Sequence, residues 1–204
     1  MKKIMLILLA GSFIFTSCGG GDDKDGDGKS MSCSEKNEAK AIVLTEHPEL
    51  SADQFTHAKA WRAGWSMSGG KHRLNVYVAF SNQEIEMSSY GGANPPKDDN
   101  GYQIHVSFNG PMSDKEDEYP EVEAGKFEPG SSFSDNPCVA IVIYNKGMGL
   151  NAFNVPDAIE GTAEITNLSE NHVCGHVNLT HEGNNIHLTF SAPIEKDLFA
   201  DQRK

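Results

Sequence analysis

Three residues with metal-binding side chains recur at every second position near the carboxyl terminus. His172, Cys174 and His176 would share one face of a β-strand, because side chains alternate between the two faces of a strand. A hairpin described below places His187 on the same face of the neighbouring strand. Imidazole and thiolate are good ligands for zinc and copper. One hypothesis is therefore a metal-binding domain that uses His172, His176 and His187; a polar strand face with incidental histidines explains the same pattern.

The cysteines offer a competing chemistry. Besides Cys18, the chain contains Cys33, Cys138 and Cys174. Cys138 and Cys174 both lie in predicted strands, and a disulfide between them would form in an oxidising compartment. We expect a Cys138–Cys174 disulfide that stabilises the fold by ~3–4 kcal/mol and leaves Cys33 free or paired elsewhere. Because a disulfide removes Cys174 as a metal ligand, the two hypotheses exclude each other at that residue.

An acidic stretch near the amino terminus matches a calcium-binding loop only in part. Asp23, Asp25, Asp27 and Gly28 fit the opening of the EF-hand pattern. That pattern needs a glutamate at its twelfth position, which is Ser34 here, and no amphipathic helix precedes the stretch. We therefore expect a linker and no bound cofactor, with zinc or calcium as the less favoured alternatives.

Known catalytic patterns are absent from the sequence. It contains no G-x-S-x-G elbow, no H-E-x-x-H pair and no glycine-rich phosphate loop. Carboxylates cluster at Asp98–Asp99 and Glu116–Glu118, and a hydrolase can take its acids from distant positions. We predict no catalytic residue and no enzyme, and keep a hydrolase with dispersed carboxylates as an alternative.

Three aromatic residues suit a binding surface. Trp61, Trp65 and Tyr77 could form a platform for a sugar or a peptide. Large rings are also common in protein cores. The sequence therefore leaves two interpretations of these residues open, ligand contact and core packing.

The segments that position these residues have the patterns of β-strands. Apolar and polar residues alternate over 74–80 and 102–108, which is typical of half-buried strands. Residues 138–144 form a continuous β-branched run, which predicts a strand covered on both faces. Residues 162–168 and 173–180 predict two further strands.

Two other segments are less regular. Residues 48–63 fit either a helix that begins at Ser51 or a strand, and we favour the strand. Residues 112–135 are acidic and rich in Gly, Pro and Ser, which predicts a long loop with one short strand around Lys126 and Phe127. Turn residues separate all of these segments. The sequence thus predicts one all-β domain, an antiparallel β-sandwich or an open barrel.

The strongest local pattern is a hairpin over residues 176–190. A turn centred on Gly183 and Asn184 would pair apolar with apolar and polar with polar residues across the two strands. In this register Val177 lies opposite Phe190.

The amino terminus has the features of an export signal. Two lysines precede an apolar run over 4–15, which is too short to span a bilayer but typical of a signal peptide. Residues 15–18, FTSC, resemble the lipobox of bacterial lipoproteins, in which the cysteine is lipidated and becomes the mature amino terminus. The resemblance implies a signal peptide over 1–17 and fatty acyl chains such as palmitate on Cys18. More than one acyl chain anchors a protein durably in a membrane.

A polar linker and one folded domain follow the predicted anchor. Residues 18–37 are rich in Gly and Asp, which predicts a disordered linker before a β-domain over 38–204. The acidic residues shortly after Cys18 resemble the export signal of surface lipoproteins of the Bacteroidota. Glycine at position 19 resembles lipoproteins that are sent to the outer membrane. These resemblances imply an outer-membrane lipoprotein exposed at the cell surface, with the periplasmic face as the alternative.

The charge of the chain limits its partners. Lys and Arg number 17 against 29 Asp and Glu, so the formal net charge is −12. A nucleic-acid backbone needs clustered positive charge, so we expect no nucleic-acid partner. The sequence predicts a lipid-anchored surface domain of a non-catalytic binding or interaction type. Its partners would be the membrane, through the lipid, and a glycan, peptide or protein, through the domain.

Overall fold

A computed structural model of the chain describes Cys33 and residues 36–66, 70–88, 92–115, 118–131, 134–153 and 156–197. The described part consists mainly of β-strands, so the predicted all-β fold is confirmed. Its helical segments are three short 3-10 turns. None of these described turns has the length and apolar character of a helix that crosses a membrane.

The described part of the chain contains ten strands and three 3-10 turns. The 3-10 turns are Ala52–Gln54, Asn151–Phe153 and Pro156–Ala158. The strands are β1 Glu38–Val43, β2 His57–Ser66, β3 His72–Ser81, β4 Tyr102–Asn109, β5 Gly125–Phe127, β6 Cys138–Asn145, β7 Met148–Leu150, β8 Glu160–Leu168, β9 His172–His181 and β10 Asn184–Asp197.

The strands form two layers that β10 joins. Sheet A has the order β5-β8-β9-β10, with β1 on the other side of β10, and sheet B has the order β2-β3-β4-β6-β7. The end of β10 pairs in parallel with β2, where Ile194 lies opposite Ala60, whereas the other strand pairs are antiparallel. The ten strands therefore make one continuous network that does not close into a barrel.

The hydrophobic core lies between the inner faces of sheets A and B. Phe108 on β4 contacts Phe127 on β5, with ring centroids 5.2 Å apart, and Phe190 on β10, with centroids 5.6 Å apart. All three rings are buried. Burial of one such side chain contributes about 1.5–3 kcal/mol. This contact between strands of the two sheets is the interior expected of a sandwich.

The inner faces of β3 and β4 follow the predicted alternation, but the prediction that these strands are half-buried is wrong, because outer-face residues such as Arg73, Asn75 and Gln103 are buried as well. Val76, Val78 and Phe80 are buried in the core, as predicted. The prediction that β6 is covered on both faces is wrong at Val142, which is 38% exposed on the outer side. β6 lies between β4 and β7, but packing on its outer face is incomplete.

The two less regular segments match their favoured interpretation only in part, because residues 48–56 do not lie in a strand. Residues 52–54 form a 3-10 turn in which Ser51 N donates to Gln54 Oε1 at 3.2 Å, and β2 begins at His57. Within 112–135, β5 forms at the predicted short strand and pairs with β8.

The β9–β10 hairpin turns earlier than predicted. Glu182 and Gly183 form the turn, with φ angles of 47° and 82°, and His181 pairs with Asn184. Val177 therefore lies opposite Leu188, and the predicted register is wrong by two residues. An even shift leaves every side chain on its predicted face, because the faces of a strand alternate with period two.

The last residues of the predicted linker are attached to sheet A. Thr189 Oγ1 donates to Lys36 O at 2.9 Å, and Ser191 N donates to Asn37 Oδ1 at 2.9 Å. The chain is thus held against β10 just before β1 begins.

Candidate functional site

Four ring side chains form a row across the outer face of sheet B, one on each of four neighbouring strands. Trp61 on β2 stacks on Tyr77 on β3, with ring centroids 5.2 Å and planes 5° apart. His105 on β4 meets Trp61 edge-on at 5.4 Å and lies 4.7 Å from Tyr144 on β6. We call these four residues the aromatic row. They share one side of the sheet because the alternate residues of their strands point into the core.

One member of the aromatic row is covered by a loop. Trp61 is 4% exposed and packs with Ile85 of the 82–101 loop. A Cβ on Gly92 of the same loop would lie 3.4 Å from the indole Nε1. The other three members are half-buried. Trp61 therefore supports the row from beneath the loop, and the exposed surface of the row belongs to Tyr77, His105 and Tyr144.

Buried polar groups lie beside the row. Asn75 is 2% exposed, and its Nδ2 donates to the Tyr77 hydroxyl at 3.0 Å. Its Oδ1 is buried and has no hydrogen-bond partner among the described residues. A buried acceptor without a partner costs about 1–3 kcal/mol. Asn75 Oδ1 has no exposed surface, so a molecule bound on the sheet does not reach it in this structure, and Asn75 acts through the Tyr77 hydroxyl that it orients.

His105 is uncharged near neutral pH. Burial lowers the pKa of its imidazole to about 4. Its Nε2–H donates to Gln103 Oε1, which orients the ring. Gln103 also lines a groove of about 240 Å³ with Glu84, Glu86 and other residues of the 82–101 loop. The row and the groove therefore meet at Gln103.

A buried guanidinium and a buried thiol lie on the same face. Arg73 is fully buried, and its Nη1 donates to Ser134 O at 2.9 Å. Desolvation lowers the pKa of Arg73, and Cys138 and Tyr77 are close enough to oppose that shift. The Cys138 thiol donates to Ser131 O at 3.3 Å. The loop around Ser131 and Ser134 thus covers this end of the sheet.

The disulfide differs from the predicted one. Cys174 is bonded to Cys33, with Cα atoms 6.1 Å apart, and Cys138 is a free, buried cysteine. Cys138 and Cys174 both lie in strands, as predicted. The predicted pair is wrong because Cys138 faces outward from sheet B and Cys174 faces outward from sheet A, on opposite sides of the sandwich.

The predicted histidines share the outer face of sheet A but do not converge. His172 Nε2 lies 3.0 Å from Ser191 Oγ, and His176 Nε2 lies 3.8 Å from the Glu164 carboxylate. Burial lowers the pKa of His187, and the positive charges of Lys40 and His176 lower it further.

One cluster of metal-binding side chains does form on this face. Cys33, His172 and Cys174 have ligand atoms within 4.8 Å of one another, the only such group of three His, Cys, Asp or Glu residues in the described part of the chain. The structure thus joins His172 to Cys174 as the sequence suggested, but it adds Cys33 and leaves out His176 and His187.

The described members of the acidic clusters that motivated the hydrolase alternative, Asp98, Asp99 and Glu118, lie outside the strands. Asp99 pairs with Lys146 at 3.1 Å, and Glu118 pairs with Lys115 at 3.1 Å. Such exposed pairs are typical of solvated charge.

Several predicted residues lie outside the described part. These are the signal peptide over 1–17, Cys18, the acidic stretch over 23–28, and Glu116 and Asp117; the side chain of Trp65 is outside it as well. Predictions about them stay predictions.

Sequence reasoning missed four residues of these sites: Asn75, His105, Tyr144 and Cys33. The first two occupy the polar positions of alternating strands, which was the available signal. Tyr144 belongs to the apolar run over 138–144, and Cys33 lies in the segment assigned to the linker, so no pattern marked either residue as part of a site. Comparisons with protein-family models, curated proteins and solved structures give no match.

Proposed function

We propose that the chain is a lipid-anchored outer-membrane protein, exposed at the cell surface, whose β-domain binds a neutral glycan on the outer face of sheet B without catalysing a reaction. The observation on which the proposal depends is the aromatic row, in which Tyr77, His105 and Tyr144 are half-buried side by side on the outer face of sheet B. Aromatic rings that carry hydroxyl groups suit a ligand with both apolar and hydrogen-bonding surfaces.

The chemistry of the row favours a glycan over the other ligand classes. A sugar presents C–H surfaces that pack on the rings of Tyr77 and Tyr144. Its hydroxyl groups can accept a hydrogen bond from the Tyr77 hydroxyl, which itself accepts from Asn75 Nδ2. His105 brings no charge at neutral pH, because burial holds its pKa at about 4. Val142 lies opposite His105 and adds exposed apolar surface. A peptide or a protein surface is the alternative ligand.

The binding proposal is tested with an array of neutral oligosaccharides and the full chain, followed by titration calorimetry of any sugar that binds. We expect Tyr77→Ala and Tyr144→Ala each to weaken binding about tenfold or more, since a buried ring contact contributes about 1.4 kcal/mol or more. His187→Ala on the outer face of sheet A is the control and should bind as the unmodified chain does. Binding that both tyrosine variants retain, or binding of peptides alone, contradicts the proposal.

The anchoring proposal has a separate test. Cells grown with a labelled fatty acid should label the chain, and Cys18→Ala should abolish the label, because the lipobox cysteine carries the acyl chains. Labelling of the variant, or a mature amino terminus other than a modified cysteine, contradicts lipid anchoring and leaves the binding test unaffected.

A further inference from the structure

The attachment point of the amino-terminal segment combines a disulfide and an imidazole. Cys33, His172 and Cys174 bring their ligand atoms within 4.8 Å of one another. Cys174 is 1% exposed, whereas Cys33 and His172 are half-buried. A disulfide uses the two sulfur atoms and leaves His172 beside them without a role in the bond.

Hydrogen bonds near Cys33 would keep it in place if the disulfide were reduced. Lys36 O accepts from Thr189 Oγ1 and Asn37 Oδ1 accepts from Ser191 N, each at 2.9 Å. Cys33 is three residues before Lys36, and three residues span at most roughly 10 Å. The thiol of Cys33 therefore stays within reach of Cys174 and His172 after the S–S bond breaks.

The separations suit a shared metal ion. Zinc binds thiolate sulfur at about 2.3 Å and imidazole nitrogen at about 2.0 Å in a tetrahedron, which places neighbouring ligand atoms about 3.5–3.8 Å apart. The His172 nitrogen already lies within 4.8 Å of both sulfur atoms. The two sulfur atoms are bonded to each other here, so they must separate to the spacing of zinc ligands once the disulfide is reduced. The Ser191 hydroxyl, 3.0 Å from His172 Nε2, can orient the imidazole as outer-shell partners of zinc ligands do.

We propose that Cys33, His172 and Cys174 form a zinc site when their disulfide is reduced, so that the amino-terminal segment is attached to sheet A by either a disulfide or a metal ion. A water molecule would complete the tetrahedron. Zinc is favoured over copper because Zn²⁺ has no redox chemistry and cannot reoxidise the two thiolates.

The exchange between the two states is balanced in atoms and electrons. A dithiol reductant gives two electrons and two protons to the Cys33–Cys174 bond and itself becomes a disulfide. Zn²⁺ then displaces the two thiol protons and binds the thiolates, with His172 as the neutral third ligand. Oxidation by a disulfide of higher potential reverses the sequence and releases the ion.

The test uses the full chain in detergent, reduced with a phosphine under anaerobic conditions and titrated with Co²⁺, a coloured substitute for zinc. We expect one Co²⁺ per chain, with a thiolate charge-transfer band and the intense visible bands of tetrahedral cobalt, and displacement of Co²⁺ by Zn²⁺. The oxidised chain should show neither set of bands, because its sulfur atoms are bonded to each other.

Variants separate the proposed ligands from their neighbours. Cys33→Ser and His172→Gln should weaken Zn²⁺ binding to the reduced chain by about tenfold or more. His176→Gln, on the same face, and Cys138→Ser, on the other sheet, are the matched controls and should bind within about twofold of the unmodified chain. Circular dichroism checks that each variant keeps the β fold.

Three results would overturn the proposal. They are absence of the cobalt bands in the reduced chain, equal binding by the oxidised chain, and retention of the bands by a folded Cys33→Ser or His172→Gln variant.

Discussion

Individual residues on the outer face of sheet B lie in surroundings that change their chemistry. His105 lies between Trp61 and Tyr144, and burial lowers its pKa to about 4. Arg73, on the same face, is fully buried, and desolvation lowers its pKa as well. A group whose pKa differs between the folded and the unfolded chain makes the stability of the domain depend on pH.

His105 should make the domain less stable in mild acid. The unfolded chain binds a proton at this imidazole below about pH 6.5, whereas the folded chain does so only near pH 4. Protonation between these values favours unfolding, so the contribution is complete above pH 6.5 and is lost as the pH falls to 4. The loss is at most about 3 kcal/mol.

Urea unfolding at pH 7 and at pH 4.5 measures this effect. His105→Gln can still donate to Gln103 but does not titrate, so its stability should fall less between the two pH values. His57→Gln, at an exposed position of β2, controls for the loss of a histidine. Equal pH dependence of the unmodified chain and His105→Gln would show that this imidazole is not the cause.

Among the secondary-structure elements, the β9–β10 hairpin joins the candidate metal cluster to the core. Its outer face carries His172 and Cys174, and its inner face carries Gly175 below Phe190. Two glycines set its geometry, one in the strand and one in the turn.

Gly175 permits close approach of two neighbouring elements. A Cβ at this position would lie 2.6 Å from Phe190 Cζ and against the backbone carbonyl of Glu164. Gly175→Ala should therefore lower the free energy of unfolding by about 1–3 kcal/mol, as measured by urea denaturation. In Gly149→Ala, the added methyl group meets only Val142 at 3.5 Å, so this control should change stability by less than about 1 kcal/mol.

The two residues of the hairpin turn allow one substitution that should destabilise the domain and one that should stabilise it. Gly183 has a φ of 82°, so Gly183→Ala should destabilise the domain by about 1 kcal/mol or more. Glu182 also has a positive φ, at 47°, and asparagine tolerates that region better than glutamate. Glu182→Asn should raise the urea midpoint modestly; a lower midpoint would contradict the turn assigned to these residues.

Across the whole molecule, the disulfide joins the segment before β1 to the middle of sheet A. Cys33 and Cys174 are separated by 141 residues in the chain. Closing a loop of this length restricts the unfolded state strongly, and the associated stabilisation is about 4–5 kcal/mol.

Reduction should therefore lower the stability of the domain by about 4 kcal/mol. Urea unfolding with and without a thiol reductant, in the absence of metal, measures the change. Cys33→Ser should reproduce the effect of reduction and become insensitive to the reductant, whereas Cys138→Ser should stay sensitive. A reductant that leaves the midpoint of the unmodified chain unchanged would contradict a stabilising role for this bond.

The sequence by itself determined the all-β class, most strand positions and the face of each side chain in the strands that alternate, but not in β6. These properties follow from the period-two alternation of neighbouring residues, which is a local property. The face of His172, Cys174 and His187 was correct for this reason, even though the hairpin register was wrong by two residues.

Only the tertiary structure decided the contacts between distant segments. The partner of Cys174, the meeting of four rings across sheet B and the buried state of His105 depend on which strands become neighbours. From the sequence, either Cys33 or Cys138 could form a disulfide with Cys174. The residue pattern placed both Cys138 and Cys174 in strands, which did not distinguish between the two pairings. The packing of the two sheets put Cys138 and Cys174 on opposite outer faces, and no local pattern in the chain encodes that separation.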